Sequence, residues 1–183
     1  GVFSDGDLPV SDSSIEENVV TSRLFASGGG GIAIAGNAGT SAGRTSISGS
    51  SIVNNISAAG GGGIIADDAE LSLTNVTIVA NTAQRSDGGG VQLRETGNSK
   101  PSTLSSVTIT DNTAINGSGG GVSSDLATAD ITVSNSIIAQ NMARTSADVE
   151  ALVVSDGTNL FGQPSETQSN WRTLAANAAD FDQ

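Results

Sequence analysis

Apolar residues in this chain come in short alternating pairs that change phase at fixed places. Leu71 and Leu73 alternate with polar neighbours, and so do Val76 and Ile78. Between Leu73 and Val76 the alternation slips by one residue. A strand sends successive side chains to opposite faces, so one straight strand cannot keep both pairs on one side. A corner is therefore predicted at Thr74–Asn75, residue types that bond their own backbone or tolerate a left-handed conformation. The second pair closes on a phrase, Ile-x-x-Asn. It returns at Ile15–Asn18, Ile52–Asn55, Ile78–Asn81, Ile109–Asn112 and Ile138–Asn141. Seven residues before the Asn stands Ser11, Ser48, Thr74, Ser105 or Ser134, with no gap in the alignment.

Glycine runs punctuate the same repeat. Gly28–Gly31 leads into Ile32, Gly60–Gly63 into Ile64, Gly88–Gly90 into Val91, and Gly119–Gly121 into Val122. A third strand is predicted after each run. Repetition at this spacing is the signature of a solenoid. Three short strands per coil, all turning the same way, make an all-β parallel β-helix. The Asn-to-Asn intervals are 37, 26, 31 and 29 residues. Coils must stay in register, so the surplus belongs to loops such as Gly36–Gly43 and Glu95–Pro101. A helical repeat is excluded, because no three-and-four apolar period runs through the copies. Ile15, Ile52, Ile78, Ile109 and Ile138 are predicted to stack in one buried column, with Leu73, Leu104 and Val133 in another.

Residues 1–162 are assigned to the β-helix and 163–183 to a C-terminal cap or tail. Past Gly162 the pattern changes. Trp171, Leu174, Ala175, Ala178 and Phe181 fall at helical spacings, with Ser169 or Asn170 placed to cap. A short helix or compact turn from about Trp171 to Ala179 is predicted, its apolar face on the last coil near Leu152, Val154 and Leu160.

Composition narrows the partners. There are 19 acidic and 7 basic residues, a net charge of −12. Phosphate backbones are bound by clustered Lys and Arg, so nucleic acid is not an expected partner. Cysteine and histidine are absent, which removes disulfides and the commonest metal ligands. No apolar run approaches membrane-spanning length, and membrane insertion is not expected. Gly1–Ser14 lacks the basic start and apolar stretch of a signal peptide. The first Ile-x-x-Asn has no glycine run before it, so the expectation is a piece of a longer chain or assembly, or a processed form.

The alternation of Gly-Gly-x-apolar with Ile-x-x-Asn resembles the repeats of polymorphic outer-membrane proteins and β-helical autotransporter passengers. Those usually carry Phe where this chain has Ile. The likeness therefore lies with the broader set of bacterial secreted or surface proteins built on right-handed β-helix repeats. It spans Val10 to about Asn141, and Ser146–Asp148 with Ser155–Gly162 is similar to their closing turn. The resemblance implies a right-handed coil and a place outside the cell or on its surface, associated with the outer membrane.

Candidate chemistry is sparse. Asn18, Asn55, Asn81, Asn112 and Asn141 are read as a structural ladder, stacked at about 4.8 Å, the inter-strand spacing. The glycine runs precede strands and have no lysine near, so they are not phosphate loops. They serve positive φ and close stacking. Calcium is the one candidate ion. Asp5 and Asp7 flank Gly6, whereas Asp67, Asp68 and Asp125 follow glycine runs at offsets that depart from the calcium-binding Gly-Gly-x-Gly-x-Asp repeat. No other cofactor is expected. Carboxylate catalysis needs a close pair, and Asp111 and Glu17 share a repeat position with Asn54 and Ala80 between them. Sugar-stacking aromatics are nearly absent, with Trp171 the sole Trp. Ice binding is disfavoured too, because the outward file Ser14, Ser51, Thr77, Thr108, Ile137 holds two threonines in a single row. The expectation is a non-catalytic stalk, adhesive surface or structural subunit with a protein or surface-glycan partner. The alternative is a carbohydrate-active lyase or hydrolase.

Overall fold

The computed structural model describes residues 1–22, 28–36, 43–94, 101–125 and 131–162, and the backbone of 171–173. The loops 37–42 and 95–100, where length was expected to vary, lie outside the described residues. So do 163–170 and 174–183.

The chain winds through four strands per turn. The first turn holds β1 (Val2–Ser4), β2 (Leu8–Ser11), β3 (Ser14–Glu16) and β4 (Val19–Val20). The second holds β5 (Ile32–Ala35), β6 (Arg44–Ser48), β7 (Ser51–Val53) and β8 (Ile56–Ser57). The third holds β9 (Ile64–Asp67), β10 (Glu70–Thr74), β11 (Thr77–Val79) and β12 (Thr82–Ala83). The fourth holds β13 (Val91–Arg94), β14 (Ser102–Ser105), β15 (Thr108–Thr110) and β16 (Thr113–Ser118). The fifth holds β17 (Val122–Ser124), β18 (Ile131–Ser134), β19 (Ile137–Ala139) and β20 (Met142–Thr145). A last partial turn holds β21 (Val149–Glu150), β22 (Val153–Asp156) and β23 (Leu160–Phe161), and β24 (Trp171–Thr173) follows. Equivalent strands pair in parallel, giving sheets of six, seven, six and five strands. The first sheet runs through β1, the second through β2, the third through β3 and the fourth through β4. Among the described residues every element is a strand.

Three of the four strands per turn follow the predicted pattern. The fourth comes directly after the ladder Asn and is often two residues long, as in Ile56–Ser57. Alternation cannot declare itself over two residues, so the sequence pattern left it unmarked. The predicted C-terminal helix is corrected at its start. Trp171–Thr173 pairs with Val153–Ser155 as a parallel strand of the second sheet. The open edge of β22 offers a row of backbone partners, whereas a helix this short gains little on its own.

The apolar columns form as expected. Ile15, Ile52, Ile78, Ile109 and Ile138 are in mutual register and buried, with Phe161 next in line. Ile47, Leu73, Leu104 and Val133 make the second column. The corner falls where the parity slips: Asn75 has φ 55°, and Asp12, Gly49, Ser106 and Asn135 repeat it. A second left-handed corner stands immediately before each ladder Asn, at Glu17, Asn54, Ala80, Asp111 and Gln140. Ala and Gln do not favour that conformation. Five occurrences show that the coil imposes it.

The first sheet is covered on both faces. Ile64 and Ala66 join the core, and Ile65, pointing the other way, is buried too. The cover is the glycine run of the same turn. Gly61 has φ +60°, and a Cβ there would stand 2.8 Å from the Ile65 side chain. Gly88 against Gln92 and Gly119 against Ser123 repeat the contact.

Candidate functional site

The five ladder asparagines lie inside the corner between the third and fourth sheets. Asn55, Asn81, Asn112 and Asn141 are buried, and Asn18 is partly open. Each donates its backbone N–H and its Nδ2–H to the Oδ1 of the next. Asn55 gives both to Asn81 at 2.9 Å, and Asn81 gives both to Asn112 at 3.0 and 2.9 Å. Nδ2 also donates back to the isoleucine carbonyl of the preceding turn, as from Asn81 to Ile52 at 2.9 Å. The amides are thus saturated by the coil itself. None is turned outward to a ligand.

The last rung is not an asparagine. Asn141 donates its backbone N–H and Nδ2–H to Asp148 Oδ1, both at 2.8 Å. Asp148 follows the column of run-closing glycines, because Val122 pairs with Val149 and so Gly121 with Asp148. In earlier turns that column must be glycine: a Cβ at Gly63 would meet Asn81 at 3.2 Å, and one at Gly121 would meet Asn141 at 2.8 Å. In the final turn no Asn follows Phe161 at the ladder offset. A side chain can then enter from the glycine column, and Asp148 does.

A second polar group lies on the outer edge of the first sheet. Arg94 pairs in register with Asp67, and the Asp125 backbone N–H donates to Leu93 O at 3.2 Å, which sets Asp125 beside Arg94 in the next turn. Acid, guanidinium and acid therefore stack on three successive coils. Arg94 Nη1 stands 3.6 Å from Asp67 Oδ2. Asp67 Oδ1 is buried with no hydrogen-bond partner. Asp125 keeps one side open to solvent. Its pKa is nevertheless raised above 3.8, first by partial burial and then by repulsion from Asp87; Arg94 opposes this and Asp67 adds to it. Sequence reasoning did not bring these residues together. A signal was there: Asp67, Arg94 and Asp125 each stand four residues after the last glycine of a run.

The remaining candidates stay apart. Asp5 and Asp7 are exposed, and Asp7 Oδ1 accepts the Arg44 N–H at 2.8 Å. Among the described residues no group of three or more acidic side chains is placed to hold a metal. Glu17 and Asp111 sit on exposed corners with the Asn54 and Ala80 turns between them. The outward file of the third sheet, Ser14, Ser51, Thr77, Thr108 and Ile137, is in register. The second sheet adds two neighbouring hydroxyl files, one of them the column seven residues before the ladder Asn and the other not marked in the sequence. Ser46, Ser72, Thr103 and Thr132 make one, and Ser48, Thr74, Ser105 and Ser134 the other. An open groove of about 300 Å³ lies near the C-terminal end between Asn135–Ile137 and Thr158–Leu160.

Four parallel sheets wound around a stacked aliphatic core, with an amide ladder in one corner, define a right-handed parallel β-helix repeat protein. The chain belongs to the right-handed beta helix region family, whose model matches residues 7–167. No curated protein and no solved structure matches the chain.

Proposed function

We propose that this chain is a non-catalytic β-helical stalk, adhesive surface or structural subunit of a bacterial secreted or cell-surface protein. One observation carries the proposal: the repeated polar chemistry divides by direction. The amides that recur every turn are buried and bonded to one another, while the hydroxyl files of the second and third sheets stand in register on their outward faces. A regularly spaced hydroxyl face suits a long repetitive surface, such as a glycan or another protein, better than a small molecule, which takes a concave site. The charge of −12 suits solubility outside the cell and disfavours nucleic acid. The test is incubation with insoluble cellulose and chitin and with immobilised surface protein, with and without calcium. Retention without release of reducing ends is expected. Release of oligosaccharides would overturn the proposal.

A second reading, a carbohydrate-active lyase or hydrolase, is favoured by the Asp67–Arg94–Asp125 stack. Asp67 and Asp125 are two inter-strand steps apart, about 9.6 Å at the usual spacing, near the outer limit for an acid and a base working across a glycosidic bond. A carboxyl with a raised pKa is suited to donate a proton. On this reading Asp67→Asn and Asp125→Asn each abolish oligosaccharide release while leaving the fold intact.

A further inference from the structure

We propose that Asn116 is a self-modifying site: its side-chain amide is lost by cyclisation with the Gly117 nitrogen, and water reopens the ring to aspartate or isoaspartate. Asn116 is the sole asparagine in the chain followed by glycine. With no Cβ on the following residue, the backbone nitrogen approaches the asparagine Cγ with least hindrance. The step balances with water alone. Gly117 N gives up its proton to solvent and bonds to Asn116 Cγ. The Cγ–Nδ2 bond breaks, and the nitrogen takes up a proton and leaves as ammonia. Water then opens the cyclic imide at one of its two carbonyls. Cleavage at Cγ gives aspartate, and cleavage at the backbone carbonyl gives isoaspartate.

The fold leaves this dipeptide a freedom that other asparagines lack. β16 pairs with β20 at Thr113–Met142 and Ala114–Ala143, then resumes at Ser118–Thr145 after a shift of register. Ile115, Asn116 and Gly117 therefore stand against Arg144 alone. Such a bulge disrupts the ladder locally, and Asn116 is exposed. The ladder asparagines are held by contrast. Asn55, Asn81 and Asn112 are bonded amide to amide, and the nitrogens that follow them, in Ile56, Thr82 and Thr113, donate to the turn before. At the corners, the Asn55 nitrogen after Asn54 donates to Asn81 Oδ1, and the Ser136 nitrogen after Asn135 to Asn159 Oδ1, both at 2.9 Å. Asn75 is followed by Val76, whose stiff branched side chain crowds the approach.

The conversion alters a contact between turns. Asn116 Nδ2 donates to Gln84 O in the turn before at 2.7 Å. A carboxylate has no proton to give, so acceptor then faces acceptor. Asp87 is close by: its Oδ1 accepts the Ser118 N–H at 2.7 Å and lies 2.6 Å from where a Gly117 Cβ would stand. A new negative charge at 116 repels it. Isoaspartate also puts an extra methylene into the main chain, directly ahead of Ser118 and the run Gly119–Gly121. Modification thus loosens the hold of the fourth turn on residues 84–87 of the third.

The test is incubation of the full chain in warm buffer at neutral and mildly alkaline pH, followed by peptide mapping. Asn116 is expected to gain the mass of amide-to-acid exchange before any other asparagine. Two separable products, release of ammonia in equal amount and a rate that rises with pH are expected with it. A free peptide of residues 113–118 is the reference. Asn116 still intact once the reference has converted, or a ladder asparagine converting first, would overturn the proposal. Asn116→Gln would have to close a larger, slower ring, so the ammonia release should be lost; undiminished release would place the reaction elsewhere. Asn116→Asp carries the hydrolysed side chain from the start. Its melting temperature should lie below that of the unmodified chain, and amide exchange at Ser118 should be faster. If either is unchanged, the contact with residues 84–87 is not loosened and that part of the proposal is wrong.

Discussion

Thr45 lies in the core between Leu8 and Leu71, 1% exposed, and its Oγ1 has no hydrogen-bond partner. A buried hydroxyl without a partner costs its desolvation. Thr45→Val keeps the branched shape and removes the oxygen. It should stabilise the chain by about 1–3 kcal/mol, read as a higher urea midpoint with an unchanged slope; a lower midpoint would show that Oγ1 is bonded after all. Asp125 makes the same point with charge. Its folded pKa lies above the unfolded 3.8, so between those values the folded state binds more protons than the unfolded one. Stability from this group therefore falls as pH rises through the folded pKa, and the penalty is complete above it. Asp125→Asn should raise the melting temperature at pH 7, and the gain should vanish near pH 3. A gain that persists at pH 3 would point to a cause other than ionisation.

At the scale of the strand and corner, glycine has two different jobs. A Cβ at Gly63 would lie 2.7 Å from the Gly90 carbonyl oxygen and 3.2 Å from Asn81. Neither backbone nor a bonded rung can yield cheaply. Gly63→Ala should cost at least about 1–3 kcal/mol. A Cβ at Gly6 meets nothing within 4 Å, and Gly6→Ala should be near neutral in the same melting experiment. Equal effects would mean that the ladder does not enforce the glycine column. These elements also mark how far the sequence could be read. The isoleucine column, the Asn75 corner and the glycine-led strand show because each repeats a residue type at a constant offset. The short fourth strand does not, since Ile56–Ser57 and Thr82–Ala83 share no pattern. Trp171 misled because helical spacing in an alanine-rich stretch says nothing about the open edge of β22. The Asp67–Arg94–Asp125 stack was hidden by its changing charge, since acid, base and acid do not look like one repeating position. Asp148 was hidden for the complementary reason. It does an asparagine's work from a glycine's place.

For the whole molecule, stability is distributed along one axis. Each turn touches only its neighbours, so a solenoid's stability is close to a sum of turn and interface contributions. A substitution then costs according to how many neighbours its turn has. Ile78 is fully buried between Ile52 and Ile109, so Ile78→Ala removes packing in the middle of the column and should cost about 2–5 kcal/mol. Ile15 is 9% exposed and is stacked on Ile52 alone. Its turn is also the natural place for fraying, because opening it breaks one interface rather than two. Ile15→Ala should therefore cost less, and its loss should appear first as faster amide exchange confined to β1–β4. Circular dichroism in urea gives the two costs, and exchange gives their location. Equal costs, with exchange rising throughout the chain in both variants, would mean that the coils unfold as one unit and that the first turn is as firmly held as the third.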